Sequence, residues 1–212
     1  MKVEIYSDTV CPWCYIGKQR FERATRLRPD IEFEVQWLPF ELNPGMPESG
    51  MERETYLARK FGDLEHVRAM QGQLRELGSG LGIDFHFERA RLMPNTRLSH
   101  EVLQFAYGAG AQDAVGEAIF RAYFEEGRDI GDRAVLIELG AAAGLDVAEL
   151  ERALLARRHA KEVEALERQA HDWGISGVPT FIFDRHYAVS GAQESDAFVQ
   201  VFDRLRRVAR AS

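Results

Sequence analysis

Two cysteines, Cys11 and Cys14, stand three apart in the run Thr9-Val10-Cys11-Pro12-Trp13-Cys14, and the chain has no others. A bond between them would close so short a loop that it adds little cross-linking entropy, so the pair reads as reversible chemistry and not as a structural staple. Pro12 suits the first position of a helix, where its missing N–H costs nothing, which makes Cys11 the N-cap. At that position the sulfur is expected to accept from the amides of Trp13 and Cys14. The helix dipole acts in the same direction, favouring thiolate over thiol and lowering the pKa of Cys11. Cys11 is then the attacking sulfur, and Cys14, turned into the helix, resolves a mixed disulfide. The rival chemistry is a zinc site, which needs two further ligands. No cysteine remains, and no pair among His66, His86, His100, His159, His171 and His186 has HxxxH-type spacing, so no metal is expected.

The elements that must position this pair follow from hydrophobic period. Val3, Ile5 and Ser7 alternate with Glu4, Tyr6 and Asp8, a short strand leading into the CxxC. A helix runs from Pro12 to about Arg28, its inward stripe written Cys14, Gly17, Phe21, Ala24, Leu27, and Pro29 closes it. Ile31, Phe33, Val35 and Trp37 form a second strand ending near Pro39, so the start of the chain is βαβ with the CxxC opening the helix.

From about Met51 to Asp172 the period is helical. Asp63 caps a helix with face Leu64, Val67, Met70, Leu74, Leu77, and another begins near Asn95-Thr96 with Leu98, Val102, Phe105 and Ala106 inward. Others cover about Asp113 to Glu126, Asp132 to Ala143, Asp146 to Ala156 and His159 to Asp172. Asp146 and Glu149 resemble a capping box. Ile83 to Phe87 reads as loop or extended chain. Strand period returns in Thr180-Phe181-Ile182-Phe183, turns at Asp184-Arg185-His186 and pairs back through Tyr187 to Ser190. A last helix starts at Ser195 with Phe198, Val201, Phe202, Leu205 and Val208 on its face. Outside the helical stretch the order is βαβ then ββα.

With 212 residues, 45% of them hydrophobic, the chain can bury a sizeable core as one domain or one domain carrying an insertion. Twenty-seven Lys+Arg against 34 Asp+Glu leave a net charge of −7, which argues against a nucleic-acid or anionic-lipid footprint. No apolar run approaches the roughly 20 residues that span a bilayer. Met1 to Tyr6 enters an alternating pattern with no signal-peptide core, so a cytoplasmic protein is expected.

Tyr6-Ser7-Asp8 leading to Cys11-Pro12-Trp13-Cys14-Tyr15-Ile16-Gly17-Lys18, with Ser176-Gly177-Val178-Pro179-Thr180-Phe181 and Ser190-Gly191-Ala192-Gln193, resembles the DsbA-like thioredoxin-fold family, specifically its FrnE-type subgroup. The resemblance implies an α/β thioredoxin fold interrupted by an all-helical insertion domain, with residues 1–50 and 173–212 forming the first unit and 51–172 the second. It implies Cys11 as nucleophile, Cys14 as resolving cysteine and Pro179 as a cis-proline facing them, where local sequence alone leaves Val178-Pro179 readable as plain punctuation before a strand. Val178 would offer its backbone to an extended thiol substrate, and Pro12 and Trp13 complete the candidate substrate contacts.

Two departures limit what carries over. The strongly oxidising members hold a histidine inside the CxxC, and this chain has Pro12-Trp13, so an extreme oxidant is not implied. Some FrnE-type proteins carry further cysteines near the C-terminus, and this one has none for an internal relay. Related kappa-class glutathione transferases and 2-hydroxychromene-2-carboxylate isomerases carry serine at the Cys11 position and use the sulfur of bound glutathione. Asn95-Thr96 and Gly191 to Asp196 fall where those relatives shape their pocket. Read locally, Asn95 or Thr96 caps one helix and Ser195 or Asp196 another.

Trp37 and Trp173 read as core or rim, and Glu162 to Arg168 as a solvated helix face with Glu164 and Arg168 paired. Asp8 fits two roles, a cap on the turn before Cys11 or an acid that tunes the thiols. The expectation is a thiol–disulfide oxidoreductase acting on a protein or small-molecule thiol or disulfide, in an apolar groove that the insertion builds over the CxxC. It needs no bound cofactor, with glutathione as a co-substrate the resemblance brings in. The alternatives are a glutathione-dependent isomerase or transferase and a non-catalytic chaperone-like binding module. Substrate, direction of electron flow, recycling partner and oligomeric state are not encoded legibly.

Overall fold

A computed structural model describes the backbone of residues 1–211 and the side chains of residues 1–208. Strand β1 (Lys2–Ser7) is buried along most of its length and enters helix α1 (Pro12–Arg26) through a tight turn in which the Cys11 amide donates to the Asp8 carbonyl at 3.0 Å. Strand β2 (Glu34–Pro39) returns parallel to β1, in register from Lys2 opposite Glu34 to Ser7 opposite Pro39.

Then comes the inserted stretch. It contains β3 (Met51–Glu52), α2 (Arg53–Phe61), α3 (Leu64–Ser79), β4 (Leu92–Met93), α4 (Arg97–Gly108), α5 (Gln112–Phe124), α6 (Arg133–Ala142), α7 (Val147–Leu155) and α8 (Ala160–Asp172). It is helical except for the short antiparallel pair β3 and β4, which the expectation of an all-helical insertion did not include. Helix α2 had no boundary of its own in the sequence pattern. The Ile83 to Phe87 stretch is loop, yet Ile83, Phe85 and Phe87 are buried. After α8 the chain adds β5 (Thr180–Phe183), β6 (Tyr187–Ser190) and α9 (Ser195–Ala211), with sheet order β2-β1-β5-β6. The β5–β6 turn places Asp184 and Arg185 at φ 47° and 60°, the left-handed pair that a tight hairpin uses.

Alternation along the strands decides both layers. Val3, Ile5, Phe181 and Phe183 share a core with Phe21 and Ala24 of α1 and with Phe198 and Phe202 of α9. Tyr6, Leu38 and Ile182 share a second core with Ala170 of α8. Phe21 is the keystone of the first, with ring centroids of Phe181, Phe198, Phe202, Phe33 and Phe183 all within 5.5–6.5 Å. A third core joins Cys11, Cys14, Tyr15 and Ile16 of the CxxC segment to the insertion through Phe85, Phe120 and Phe124.

Several local expectations shift. Leu27, written on an inward face, is 51% exposed, because α1 ends at Arg26 and Leu27 lies in the turn beyond. Of the two places read for Trp173, core or rim, it takes the rim, packing edge-on against Tyr6 at 45% exposure. Asp146 does accept from the Glu149 amide at 2.9 Å, but the Glu149 carboxylate turns to Arg152 and Arg158, leaving half a capping box. The face from Glu162 to Arg168 is not simply solvated, since Glu167 accepts from the Glu41 amide at 3.0 Å and Glu164 pairs with Arg97 at 3.4 Å.

Removing Phe21 leaves five rings facing a void. Phe21→Ala is expected to lower stability by about 3–5 kcal/mol, read as a drop in the urea midpoint at unchanged slope. A loss below about 1 kcal/mol would mean the surrounding rings collapse into the space.

Candidate active site

Helix α1 begins where β1, the insertion and the β5 approach meet, and Cys11 sits at that junction. It is the N-cap residue, with extended backbone, and Pro12 occupies the first turn as anticipated. The sulfur does not accept from the helix amides. The Cys14 amide donates to the Cys11 carbonyl at 3.0 Å and the Tyr15 amide to the same oxygen at 3.3 Å. The Cys11 thiol points across to the Val178 carbonyl, 3.8 Å away.

Cys11 is 4% exposed and Cys14 fully buried, and both are free thiols. Burial pushes the Cys14 thiol well above its ordinary value, and the adjoining Cys11 sulfur adds to the rise, against weaker help for the thiolate from the Ser7 hydroxyl and the Asp8 backbone. Trp13 stands 44% exposed at the rim, and Pro12 is half-buried.

On the opposite side the Val178–Pro179 peptide bond is cis. Three contacts fix that loop. A Cβ on Gly17 would lie 2.9 Å from Pro179 Cγ, so α1 admits the proline only because residue 17 is glycine. The Gly191 amide donates to the Pro179 carbonyl at 2.7 Å, and Thr180 Oγ1 donates to the Gly177 carbonyl at 2.8 Å. A shallow groove runs past Trp173, Gly177, Val178, Pro179 and Ser190.

On the insertion side Cys11, Pro12 and Trp13 form one wall of a cavity of about 420 Å³. Leu57 of α2, Met70 and Leu74 of α3, Phe87, Met93 and Phe124 supply most of the rest. In the sequence Met70 and Leu74 read only as part of an apolar helix face and Phe87 as the end of a loop or extended stretch, while Leu57, Met93 and Phe124 carried no reading. Arg53, Tyr56, Leu57 and Lys60, spaced 3, 1 and 3 apart, trace one helix face and were the available signal.

Asp8 is completely buried beneath the CxxC turn. Its carboxylate accepts from the Leu42 amide at 2.7 Å, with the Val10 amide at 3.5 Å, so it braces the turn. It also lies 3.5 Å from Nε2 of the buried His100 on α4. Burial opposes a charged imidazole there, but the Asp8 carboxylate, with Glu167 and Glu41 adding to the field, outweighs it and raises the His100 pKa. The Thr9 hydroxyl bonds the Ser99 hydroxyl at 2.8 Å, a second tie from the turn to α4.

Asn95 and Thr96 are not brought to the CxxC. Asn95 lines a separate polar cleft with Arg97, Asp129 and Arg157, and its Oδ1 accepts from the Arg97 amide at 3.0 Å, while Thr96 makes no side-chain cap. Gly191 borders the groove beside Pro179, Glu194 pairs with Arg20, and Ser195 Oγ donates to the Arg20 carbonyl at 2.9 Å. Among the described residues no group of three or more His, Cys, Asp or Glu side chains is placed to hold a metal ion, and no helix is long and apolar enough to cross a membrane.

Residues 2–203 match the DSBA-like thioredoxin domain. The uncharacterized protein YwbO of Bacillus subtilis (strain 168) is 30% identical over 197 residues, covering 92% of each chain. A probable DsbA oxidoreductase from Streptomyces coelicolor superposes with a TM-score of 0.88 at 38% identity, covering 96% of this chain and 89% of that one. The cytosolic disulfide reductase DsbM from Pseudomonas aeruginosa, solved with GSH, superposes with a TM-score of 0.71 at 21% identity, covering 97% and 100%, and shares the fold.

The two thiols are expected to separate chemically. In the reduced protein near pH 7.5, iodoacetamide should label Cys11 and spare Cys14 until the pH passes well above the ordinary thiol range of about 8.5, as read by peptide mass. Equal labelling would mean Cys14 is open to solvent. Because the His100 pKa is raised on folding, its stabilising interaction is fully present below about pH 6.5 and is lost as pH rises through the folded value. His100→Gln should therefore lower the urea midpoint more at about pH 5.5 than at about pH 8.5, whereas an equal loss at both would assign His100 to packing alone.

Proposed function

The chain belongs to the DSBA-like thioredoxin domain family, and from that membership we propose a thiol–disulfide oxidoreductase of the FrnE type, working through the Cys11-Pro12-Trp13-Cys14 pair. The observation that carries the reading is the placement of one thiol at the mouth of α1, 3.8 Å from the Val178 carbonyl, with the second fully buried behind it. The Cys11 thiolate attacks one sulfur of a disulfide R–S–S–R′. That bond breaks, Cys11–S–S–R forms, and R′S⁻ leaves and takes up a proton. Cys14 then gives up its proton and attacks the Cys11 sulfur, releasing RSH and closing the Cys11–Cys14 disulfide. The substrate gains two electrons and two protons from the dithiol, and the reverse sequence oxidises a dithiol substrate.

Each neighbour has a part in that sequence. Burial keeps Cys14 protonated until a mixed disulfide sits beside it, which suits a resolving thiol. Val178 presents its backbone, and Pro179 an apolar surface, to the substrate chain flanking the reacting sulfur. Pro12 and Trp13 contact the group held in the cavity. We place the protein in the cytoplasm, where a reversible pair is the sensible use of its only cysteines. The fold shared with a protein solved with GSH supports glutathione as a co-substrate.

A second reading, a glutathione-dependent isomerase or transferase, draws on the fold shared with a protein solved with GSH. The two readings differ in what Cys14 does. For the oxidoreductase, Cys11→Ser abolishes turnover and Cys14→Ser accumulates the mixed disulfide. Turnover that survives in both variants would sink the mechanism. The primary test is a redox titration in glutathione buffers, quenched by alkylation and read by intact mass. A two-thiol to disulfide transition supports the oxidoreductase and gives its potential. Bound glutathione with Cys11 still a thiol, and activity that survives loss of Cys14, would transfer the assignment to the second reading.

A further inference from the structure

The cavity in front of Cys11 differs in charge from the molecule around it. The chain carries a net −7, yet no Asp or Glu lines this cavity, while Arg53 and Lys60 both do. Their contacts are to neutral groups. Arg53 donates to the Phe87 carbonyl at 3.3 Å and lies over the Phe87 ring. Lys60 donates to Tyr56 Oη at 2.6 Å and to Asn43 Oδ1 at 3.2 Å. The Nε of Arg53 is buried with no hydrogen-bond partner. Both cations are on α2, seven residues and two turns apart, which sets them about 10 Å from one another along one face of the helix. Tyr56 and Leu57 lie between them on that face.

The remaining wall is apolar and aromatic, with Phe87, Met93 and Phe124 among its residues. A volume of about 420 Å³ lies in the small-molecule range and holds no folded segment. An apolar ligand body is favoured by these walls, a cationic one is repelled by the two unneutralised charges, and an anionic one is attracted by them.

We propose that the small-molecule substrate of this site is a low-molecular-weight disulfide, or the thiol it yields, whose sulfur is carried on an apolar, aromatic-sized body ending in a carboxylate, with Arg53 and Lys60 binding the anion. The proposal rests on the oxidoreductase reading and names its substrate class. The body fills the cavity, the carboxylate lies against the α2 face, and the sulfur reaches Cys11 at the cavity wall.

The test uses the Cys14→Ser protein, in which reaction stops at the Cys11 mixed disulfide. Three symmetrical benzylic disulfides with the same ring, ending in carboxylate, carboxamide or methylammonium, are compared by the rate of adduct formation in intact mass. Each rate is divided by that of N-acetylcysteine amide with the same reagent, which removes intrinsic reactivity. The carboxylate is expected to react about tenfold faster than the carboxamide, and the ammonium slowest. Arg53→Gln with Lys60→Gln should bring the carboxylate-to-carboxamide ratio to about one. Because each variant is read as a ratio, partial loss of folded protein cancels, and Lys60→Gln alone, at an exposed side chain, should still cut the ratio about threefold.

Equal rates for the three reagents, a preference untouched by both substitutions, or faster reaction of an acidic peptide disulfide than of the aromatic carboxylate would each overturn the substrate class and leave the oxidoreductase standing. No adduct with any disulfide would overturn the oxidoreductase reading and this proposal with it.

Discussion

Beyond Trp13, which is exposed at the rim, helix α1 is buried without a break from Cys14 to Lys18, and the structure is organised around that burial. Tyr15, Ile16, Gly17, Lys18, Arg20 and Phe21 are all buried, so the helix that opens with the CxxC is gripped by the sheet on one side and the insertion on the other. A buried cation is tolerable only when paired. Lys18, 2% exposed, has Glu22 on its own helix and Asp113 and Glu117 on α5, at 3.4 and 2.9 Å. Burial opposes its charged ammonium, but the three carboxylates outweigh it and raise the Lys18 pKa. Arg20 faces the other way, to the Ala192 carbonyl at 2.7 Å and to Glu194. Tyr15 Oη lies 3.0 Å from Glu117 and 2.9 Å from Glu125. These contacts are directional, so they fix the rotation of α1 as apolar packing alone would not.

That fixed rotation is what separates the two thiols. One turn of helix stacks positions 11 and 14 on the same side, so with Cys14 turned into the interior, Cys11 at the N-cap stands above it at the junction. The same rotation aims Gly17 at Pro179, whose close approach carries Val178 to the Cys11 sulfur. Asp8 and Thr9 complete the bracing from below through Leu42, His100 and Ser99. The site is thus assembled from separate stretches of chain, and the segment from Asp8 to Gly17 takes part in each of these contacts.

Much of this was legible because the chemistry is local. Cys11, Pro12 and Cys14 announce a helix N-terminus within four residues, and the strand alternation of Val3 to Ser7 and Thr180 to Phe183 predicts which residues face α1. What was not legible is long-range. Nothing near Cys11 indicates that its sulfur turns to Val178, 167 residues away, and not to its own helix amides. The Asp8 and His100 pair lies 92 positions apart in sequence, and only the packing of α4 under the CxxC turn unites it. Lys18 and Arg20 are charged residues, and only the acids of α5 and Glu194, just before α9, account for their burial.

Helix α2 escaped the sequence pattern for a different physical reason. It has no fully buried residue, so the strong apolar stripe that marks a core helix is missing. Its ends are set by local chemistry instead. The Glu52 carboxylate accepts from the Glu54 and Thr55 amides at 3.2 and 2.7 Å, and Gly62 at φ 75° terminates it. The face with Tyr56 and Leu57 borders the cavity and is only partly buried, so that face gains less from burial in the free protein than a core face does. A helix held by its caps while its inward side lines a cavity is stabilised by whatever apolar group fills that space, since filling removes apolar surface from water on both partners. Its two cations then set which apolar groups can enter, which makes the least packed helix of the insertion the one most able to discriminate among substrates at Cys11.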